Sequence, residues 1–212
     1  MTDATEHTHH PVHVAVYDGL ADWEVGHLTA HVNDPSWQRT PGRYQIVTVA
    51  ERAGVITTMG GMRIVPDTTI GELLPQDSSM LVLPGAERWL TGGNAAFVEL
   101  AGELLAAGTP VAAICGATVG LAAGGLLDDR RHTSNAPEAL AATQYGGGHL
   151  YVDEPAVTDR GLVTASGTAP VEFARAAFAL LELYEPRVLA SWYKLFGLND
   201  PAGYFELVAA AS

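Results

Sequence analysis

The chain has 212 residues, 48% of them hydrophobic and 17% charged, which is typical of a globular protein with one sizeable core. A formal net charge of −13 would repel nucleic acid phosphates and anionic lipid headgroups, so neither partner is expected. The sequence lacks an apolar run of the roughly 18 residues that span a bilayer, and its single cysteine excludes an intrachain disulfide.

Residues 1–11 are predicted to form a flexible tail. Their histidines are irregularly spaced and no acid or cysteine completes a site, so we expect no bound metal. The segment has neither the basic start nor the apolar stretch of a signal peptide, and the lone cysteine suits a reducing compartment. We therefore expect a cytoplasmic protein.

The first strand is predicted at residues 12–17, and the following helix at Asp22, its expected N-cap. Glu24 then lies in the first helical turn, beyond the carboxyl end of the strand. A glutamate is common there because it complements the helix dipole, so this position alone does not establish a function.

The rest of the chain alternates apolar strands with longer helical segments. Strands are predicted at 44–50, 79–83, 111–114, 156–159 and 162–165, with a hairpin at 55–58 and 62–65. Helices are predicted at 95–107, 118–123, 170–184, 187–196 and 201–211, and from Pro137 with Asn135 as N-cap. This alternation predicts an α/β domain over residues 12–184, with a doubly wound, mostly parallel sheet and helices on both faces. Residues 185–212 are predicted to form a helical extension packed on that domain.

Cys115 follows the predicted strand 111–114 and precedes a helix rich in small residues. Such a strand-to-helix corner is a nucleophile elbow, where the helix N-terminus favours a thiolate over a thiol. An inert, buried cysteine is the alternative, since free cysteine is among the most buried residue types.

Gly85 follows the strand 79–83 and leaves backbone N–H groups able to face a ligand, although glycine is also ordinary in turns. Ligands of doubly wound sheets bind beyond the carboxyl ends of the strands. Because Glu24, Gly85 and Cys115 all lie just beyond such ends, we predict a functional site there.

Five segments resemble the ThiJ/PfpI superfamily, which has the class I glutamine amidotransferase-like (flavodoxin-like) fold. They are YDGLADWE (17–24), LVLPGA (81–86), AAICGATVGLAAGGLL (112–127), HTSN (132–135) and TASGTAPVEFA (164–174). The likeness spans roughly residues 12–184, and the tail from Glu185 resembles extensions of bacterial amidotransferase-like members.

The resemblance implies that Cys115 is the reactive group and that a protonated Glu24 donates a hydrogen bond to its sulfur. It also implies oxyanion-binding N–H groups at Gly85 and Gly116, a small-molecule substrate, no cofactor and a homodimer. A carboxyl beside a thiolate is expected to have a raised pKa because the two negative charges repel. Around the thiol, the expected residues are Trp23, His132 and Asn135.

Two differences from the motifs of the resembled family limit the reactions that Cys115 is expected to catalyse. Protease-like members have a histidine directly after the cysteine, where this chain has Gly116, and amidotransferases take histidine and glutamate from a loop that here contains Ser166-Gly167-Thr168. Asn135 occupies the position of a histidine near the elbow in several relatives. His132 is a candidate substitute or else a histidine packed at a strand edge.

Three functions follow from the sequence. The first is a cofactor-free, cysteine-dependent hydrolase, hydratase or glyoxalase-type lyase acting on a small electrophile. The second is a redox-responsive stress protein whose cysteine is oxidised to sulfinate without turnover. The third is an inactive binding or scaffold protein. Glutamine amidotransfer and proteolysis are disfavoured.

Overall fold

A computed structural model describes residues 10–211. The predicted tail therefore lies outside the described residues except for its last two positions, and these correct the prediction. His10 and Pro11 begin the first strand, where the His10 N–H donates to the Arg43 carbonyl at 2.9 Å. The ordered domain thus starts at least two residues earlier than predicted.

The strands of the described chain are β1 (His10–Ala15), β2 (Tyr44–Ala50), β3 (Ile56–Thr57), β4 (Arg63–Ile64), β5 (Thr68–Thr69), β6 (Met80–Leu83), β7 (Val111–Ile114), β8 (Ala156–Asp159) and β9 (Leu162–Ala165). Seven of them form one sheet in the order β5-β2-β1-β6-β7-β9-β8, in which neighbouring strands are parallel except for β8 and β9. β3 and β4 pair with each other as an antiparallel hairpin outside the sheet.

Helices cover both faces of this sheet. They are α1 (Asp22–Asn33), α2 (Ala95–Ala106), α3 (Gly116–Ala123), α4 (Pro137–Ala141), α5 (Pro170–Leu180), α6 (Pro186–Phe196) and α7 (Ala202–Ala210). Short 3₁₀ turns lie at Pro35–Trp37, Ile70–Glu72, Pro75–Asp77, Glu87–Thr91 and Gly148–Leu150. The doubly wound, mostly parallel α/β fold expected from the sequence is confirmed.

Alternate side chains of the central strands enter two separate hydrophobic cores, as the period of a strand requires. In β6, Leu81 and Leu83 join the core beneath α2 and α3, whereas Met80 and Val82 join the core beneath α1 and α5. All four are fully buried. Burying such a side chain contributes about 1.5–3 kcal/mol, so the continuous apolar strands of this sheet stabilise both faces at once.

The last two helices extend the second core. Trp192 of α6 is fully buried and makes edge contacts with His31 of α1 and Phe178 of α5, at ring-centroid distances of 5.4 and 5.1 Å. Leu207 of α7 is fully buried in the same core. Within residues 10–211, the helices are too short or too polar to cross a bilayer.

The start of α1 differs from the prediction. Its N-cap is Ala21 rather than Asp22, which is the first helical residue. The Asp22 carboxylate instead accepts a hydrogen bond from the Gly60 N–H of the β3–β4 hairpin at 2.6 Å. The Asp22 side chain, which the local sequence predicts as a helix cap, therefore binds a residue that is distant in sequence. This hydrogen bond connects the hairpin to the first turn of α1.

Candidate active site

The site lies where the carboxyl ends of β1, β6, β7 and β9 meet. These are four consecutive strands of the sheet, so the residues that follow them become neighbours in space although they are far apart in sequence. Glu24 comes from the first turn of α1, Gly85 follows β6, Cys115 follows β7, and Ser166 to Thr168 follow β9. The structure thus brings together the three residues predicted for this edge.

Cys115 is the single residue between β7 and α3. Its backbone has φ 59° and ψ −127°, a conformation that L residues rarely adopt and that costs about 1–3 kcal/mol. The corner is held from both sides, because the Cys115 N–H donates to the Ala165 carbonyl at 3.0 Å and the Thr118 hydroxyl donates to the Cys115 carbonyl at 2.6 Å. This geometry is that of the predicted nucleophile elbow.

Two glycines leave the room that the thiol and carboxyl groups occupy. A Cβ atom on Gly85 would lie 2.8 Å from Cys115 Cβ and 2.8 Å from Glu24 Oε2. A Cβ atom on Gly167 would lie 2.8 Å from Cys115 Sγ and 3.2 Å from Glu24 Oε1. We name Glu24, Gly85, Cys115 and Gly167 the cleft floor. Gly167 was not predicted as a site residue.

Glu24 is only 1% exposed. Its Oε2 atom accepts a hydrogen bond from the Gly85 N–H at 2.5 Å, and its Oε1 atom is buried without a nitrogen or oxygen donor. Burial raises the pKa of Glu24 to about 7, against the lowering effect of the Gly85 and Cys115 hydrogen bonds. Because the Gly85 N–H is committed to Glu24, it is not the free oxyanion donor expected from the sequence.

The surroundings of Cys115 do not favour the thiolate that the sequence led us to expect. Burial raises the pKa of the Cys115 thiol, and the charge and hydrogen bonding of Glu24 raise it further. Hydrogen bonds from Asn135 and from the Gly116 N–H lower the thiol pKa without offsetting these effects. Desolvation therefore opposes the effect of the helix N-terminus here, and the net shift of the Cys115 pKa is upward.

Asn135 joins the thiol to the loop after β9. Its Nδ2 atom donates to Cys115 Sγ at 3.2 Å, while its Oδ1 atom accepts from the Gly167 N–H at 2.8 Å. The hydrogen bond from the Gly167 N–H fixes the orientation of the Asn135 amide, so that its Nδ2 atom faces the sulfur. The predicted N-cap role is wrong, since Ala136 caps α4 and the Asn135 side chain is used at the site.

Trp23 lies at the mouth of the site with 52% of its surface exposed. Its Nε1 atom donates to the Gly167 carbonyl at 3.1 Å, so Trp23 and Asn135 hold the two ends of the same residue. An open cleft of about 630 Å³ leads from here to Cys115. We name the other lining residues the cleft rim: Trp23, Asn135, Ser166, Thr168 and Pro170.

His132 does not reach the cleft. It is fully buried, with Nδ1 hydrogen-bonded to the Arg130 carbonyl at 2.7 Å and Nε2 to the Tyr145 hydroxyl at 2.9 Å. Both ring nitrogens are therefore committed to structural partners, and the residues that line the cleft include no histidine. Among residues 10–211, no cluster of three or more histidine, cysteine or carboxylate side chains forms a metal site.

Two buried aromatic residues that were not predicted support the loop containing Gly85. Trp89 Nε1 donates to the Pro84 carbonyl at 3.0 Å, and the Tyr17 hydroxyl donates to the same carbonyl. Trp89 Nε1 also contacts the Tyr17 hydroxyl at 3.0 Å. These bonds fix the peptide that precedes Gly85, whose N–H holds Glu24. The local sequence contains no signal for them.

Comparison with known proteins gives a consistent result. A family model described as the DJ-1/PfpI family matches residues 10–180. The chain is 38% identical over 200 residues to a Bacillus subtilis protein named uncharacterized protease YoaZ, covering 93% of this chain and 95% of that protein. It is 30% identical over 125 residues to a protein of Pyrococcus abyssi named a deglycase, covering 58% of this chain and 73% of that one. A crystal structure of a ThiJ/PfpI family protein from Bacillus anthracis matches with 38% identity and a TM-score of 0.88, covering 95% of this chain and 96% of that one.

Proposed function

The chain belongs to the DJ-1/PfpI family, and from that premise we propose that it is a cofactor-free, cysteine-dependent enzyme acting on a small electrophile. The proposed substrates are carbonyl compounds such as α-dicarbonyls, and the reaction is of the hydrolase, hydratase or glyoxalase-type lyase class. Cys115 is the proposed nucleophile and Glu24 the proposed acid and base.

One observation carries this proposal: a carboxyl group whose pKa is about 7 is buried against the only thiol of the chain. Two groups that interact so closely titrate as a pair. When the Cys115 proton moves to Glu24, the carboxyl becomes neutral and the sulfur becomes a thiolate. The charge that opposed thiolate formation is then removed, so Glu24 activates the nucleophile without a histidine.

The chemistry that follows needs only this one proton. The thiolate adds to the carbonyl carbon, and the carbonyl π electrons move to oxygen as the C–S bond forms. Glu24 then gives its proton to that oxygen, which yields a hemithioacetal and leaves Glu24 ionised as the base for the next step. The Asn135 amide and the Gly116 N–H, which face the sulfur, are the proposed donors to the developing negative charge.

Peptide hydrolysis and glutamine hydrolysis are not proposed, although one relative is named a protease. Both reactions expel a poor leaving group and use a histidine to protonate it. The lining residues of the cleft supply none. The name of the Pyrococcus abyssi relative, a deglycase, supports chemistry on small molecules instead.

Turnover of methylglyoxal and glyoxal, followed by loss of dicarbonyl and by mass spectrometry of the product, tests the proposal. Replacing the nucleophile in Cys115→Ser is expected to reduce turnover by about 10³-fold or more. Gly26→Ala serves as the control, because a Cβ on Gly26 would meet no atom within 4 Å. Wild-type turnover in Cys115→Ser would contradict the mechanism.

A second candidate is a redox-responsive protein in which Cys115 is oxidised to sulfinate. It is favoured by the buried Oε1 atom of Glu24, which has no nitrogen or oxygen donor and, once protonated, is able to donate to a sulfinate oxygen. Mass spectrometry after graded peroxide treatment separates the two functions. Addition of two oxygens at Cys115, absent in Glu24→Ala, together with no dicarbonyl turnover, supports the sensor.

Cytoplasmic location and a homodimeric state remain parts of the proposal. The absence of a disulfide partner for Cys115 supports the first, and the commonness of two-fold symmetric dimers supports the second. Light scattering on the purified chain measures its oligomeric state directly, and a monomer at all concentrations would contradict the dimer.

A further inference from the structure

The cleft that leads to Cys115 is bordered by side chains without a formal charge. Its described lining residues are the cleft rim together with Cys115 and Gly167, and they include no aspartate, glutamate, lysine, arginine or histidine. The Ser166 and Thr168 hydroxyls are hydrogen-bonded to each other at 3.0 Å. A charged group would therefore lose part of its hydration in the cleft without gaining a counter-ion, which is unfavourable.

Trp23 is the largest apolar side chain of the cleft, and 52% of its surface is exposed. Its single polar side-chain atom, Nε1, already donates to the Gly167 carbonyl at 3.1 Å, so the surface left for a ligand belongs mainly to the apolar ring system. Pro170 adds a second apolar ring to the lining. Aromatic rings prefer to pack against other flat rings, in stacked or edge-to-face arrangements.

The indole is also held in position before any ligand arrives. Asp22, which precedes it, accepts a hydrogen bond from the Gly60 N–H at 2.6 Å, and Glu24, which follows it, accepts one from the Gly85 N–H at 2.5 Å. Together with the Nε1 bond, three contacts to distant segments fix this turn of α1. A surface that is already ordered loses little conformational entropy when a ligand packs on it, and this favours recognition.

The indole and the thiol share Gly167 as a neighbour. Trp23 binds the carbonyl of this residue, Asn135 binds its N–H at 2.8 Å, and a Cβ atom on it would lie 2.8 Å from Cys115 Sγ. The sulfur and the indole are therefore separated by about the width of one residue. A group attached to the carbon that reacts with the sulfur would lie within reach of the indole.

We infer that Trp23 determines the specificity of this site by packing against a flat, uncharged group of the electrophile, such as an aryl ring, while the reactive carbon meets Cys115. This inference deepens the proposed function and rests on it for the role of the thiol. It distinguishes substrates by the part of the molecule that does not react.

Maleimides test the inference without requiring turnover. The Cys115 thiolate adds to one alkene carbon, the π electrons form an enolate, and the enolate takes a proton from water, so no group leaves. N-phenylmaleimide and N-cyclohexylmaleimide have ring tails of similar size, but only the phenyl ring is flat. Each rate constant is divided by that for 2-mercaptoethanol, which removes the difference in intrinsic reactivity, and the phenyl-to-cyclohexyl ratio then measures the preference for a flat tail.

The wild-type protein is expected to give a ratio of about three or more. Trp23→Leu keeps an apolar side chain without a flat ring, and its ratio is expected to fall to about one. Trp23→Phe keeps a ring but lacks Nε1, and it is expected to retain most of the preference. Equal loss in both variants would assign the effect to the bond with Gly167 and would overturn the inference, as would a wild-type ratio of about one.

Phe205→Leu is the matched control, because it replaces an aromatic residue that is 70% exposed on α7 and does not line the cleft. It is expected to give the wild-type ratio. A loss equal to that in Trp23→Leu would overturn the inference.

Two further maleimides carry a carboxylate or a trimethylammonium group on the phenyl ring. In about 0.5 M NaCl, where long-range attraction and repulsion are screened, both are expected to react more slowly with Cys115 than the parent reagent after the same normalisation. A charged reagent that matches the parent would overturn the requirement for an uncharged group.

Acrylamide quenching of the wild type and of Trp23→Phe measures by difference whether the indole is accessible in solution. The Trp23 emission is expected to be quenched. An indole that acrylamide does not reach would be covered by a second copy of the chain, which would overturn the inference.

The inference and the proposed function fail in different ways. Dicarbonyl turnover without a preference for the phenyl reagent overturns the inference alone, whereas that preference without turnover contradicts the proposed function alone. A thiol that no maleimide modifies would overturn both.

Discussion

The cleft floor and the cleft rim are adjacent but differ in their burial and in the contacts that hold their residues in place. The floor is a buried carboxyl and a thiol packed between two glycines, where a single added methyl group has no room. The rim is more open: Trp23, Asn135 and Thr168 are exposed, and the side chains of Trp23 and Asn135 form hydrogen bonds with Gly167 in the loop after β9. Under the proposed function, the proton moves between the two groups of the floor, whereas the rim controls access to the sulfur and the orientation of the Asn135 amide beside it.

The largest expected effect is a pH dependence of the free energy of unfolding, which arises from Glu24 in the floor and has no counterpart in the rim. Because the pKa of Glu24 rises from 4.5 in the unfolded chain to about 7 in the folded one, the folded state binds more protons between these values. The free energy of unfolding is therefore expected to fall by about 3 kcal/mol from this group as the pH rises from about 4.5 to above 7.

Denaturant unfolding of the wild type and of Glu24→Gln across this pH range measures that contribution by difference, so that other titrating groups cancel. The amide has no such titration, and the wild type is expected to lose stability relative to the variant as the pH rises. A difference that stays constant with pH would show that the floor does not hold a proton on Glu24.

The next effect tests how tightly the floor is packed. Gly167→Ala places a Cβ atom 2.8 Å from Cys115 Sγ, and such overpacking is expected to cost about 1–3 kcal/mol of stability. The alkylation rate of Cys115 is expected to fall at the same time.

Gly26→Ala is the matched change, since Gly26 is an exposed residue of α1 with open space around it. Alanine there is expected to stabilise the helix by about 1 kcal/mol. Wild-type stability and alkylation in Gly167→Ala would refute the packing argument.

The smallest of the three effects concerns the rim. The Asn135 amide donates to Sγ and lowers the pKa of the Cys115 thiol, so Asn135→Ala is expected to raise that pKa. Alkylation rate against pH measures the shift. Ser166→Ala keeps the contact between Asn135 and the sulfur and is expected to leave the profile unchanged, whereas an equal shift in both variants would assign the effect to the loop.

Much of the fold follows from local sequence. The strands at Tyr44–Ala50, Val111–Ile114, Ala156–Asp159 and Leu162–Ala165 have the predicted bounds, because short segments rich in apolar and β-branched residues are flanked there by turn residues. Cys115 and Glu24 were identified for a related reason. Cys115 directly follows β7, Glu24 lies in the first turn of the helix after β1, and parallel strands bring their carboxyl ends to one edge.

The remaining features depend on which strands are neighbours, which local sequence does not determine. Gly167 meets Cys115 because β9 lies beside β7, with β8 turned back at the edge of the sheet. Asp22 and Asn135 were assigned as N-caps, yet their side chains bind Gly60 and Cys115 from distant segments. The helix N-terminus alone predicts a lowered pKa for the Cys115 thiol, whereas burial of the sulfur, which is a property of the assembled cleft, raises that pKa.

The half-exposed indole of Trp23 gives this protein a built-in optical probe. Of the four tryptophans, Trp89 and Trp192 are at most 2% exposed and Trp37 is partly buried against His31, whereas Trp23 is 52% exposed to water at the cleft mouth. The long-wavelength part of the intrinsic fluorescence therefore includes light from the cleft mouth. Quenching or a blue shift of that part on mixing with a candidate compound would register its arrival before any bond to sulfur is made.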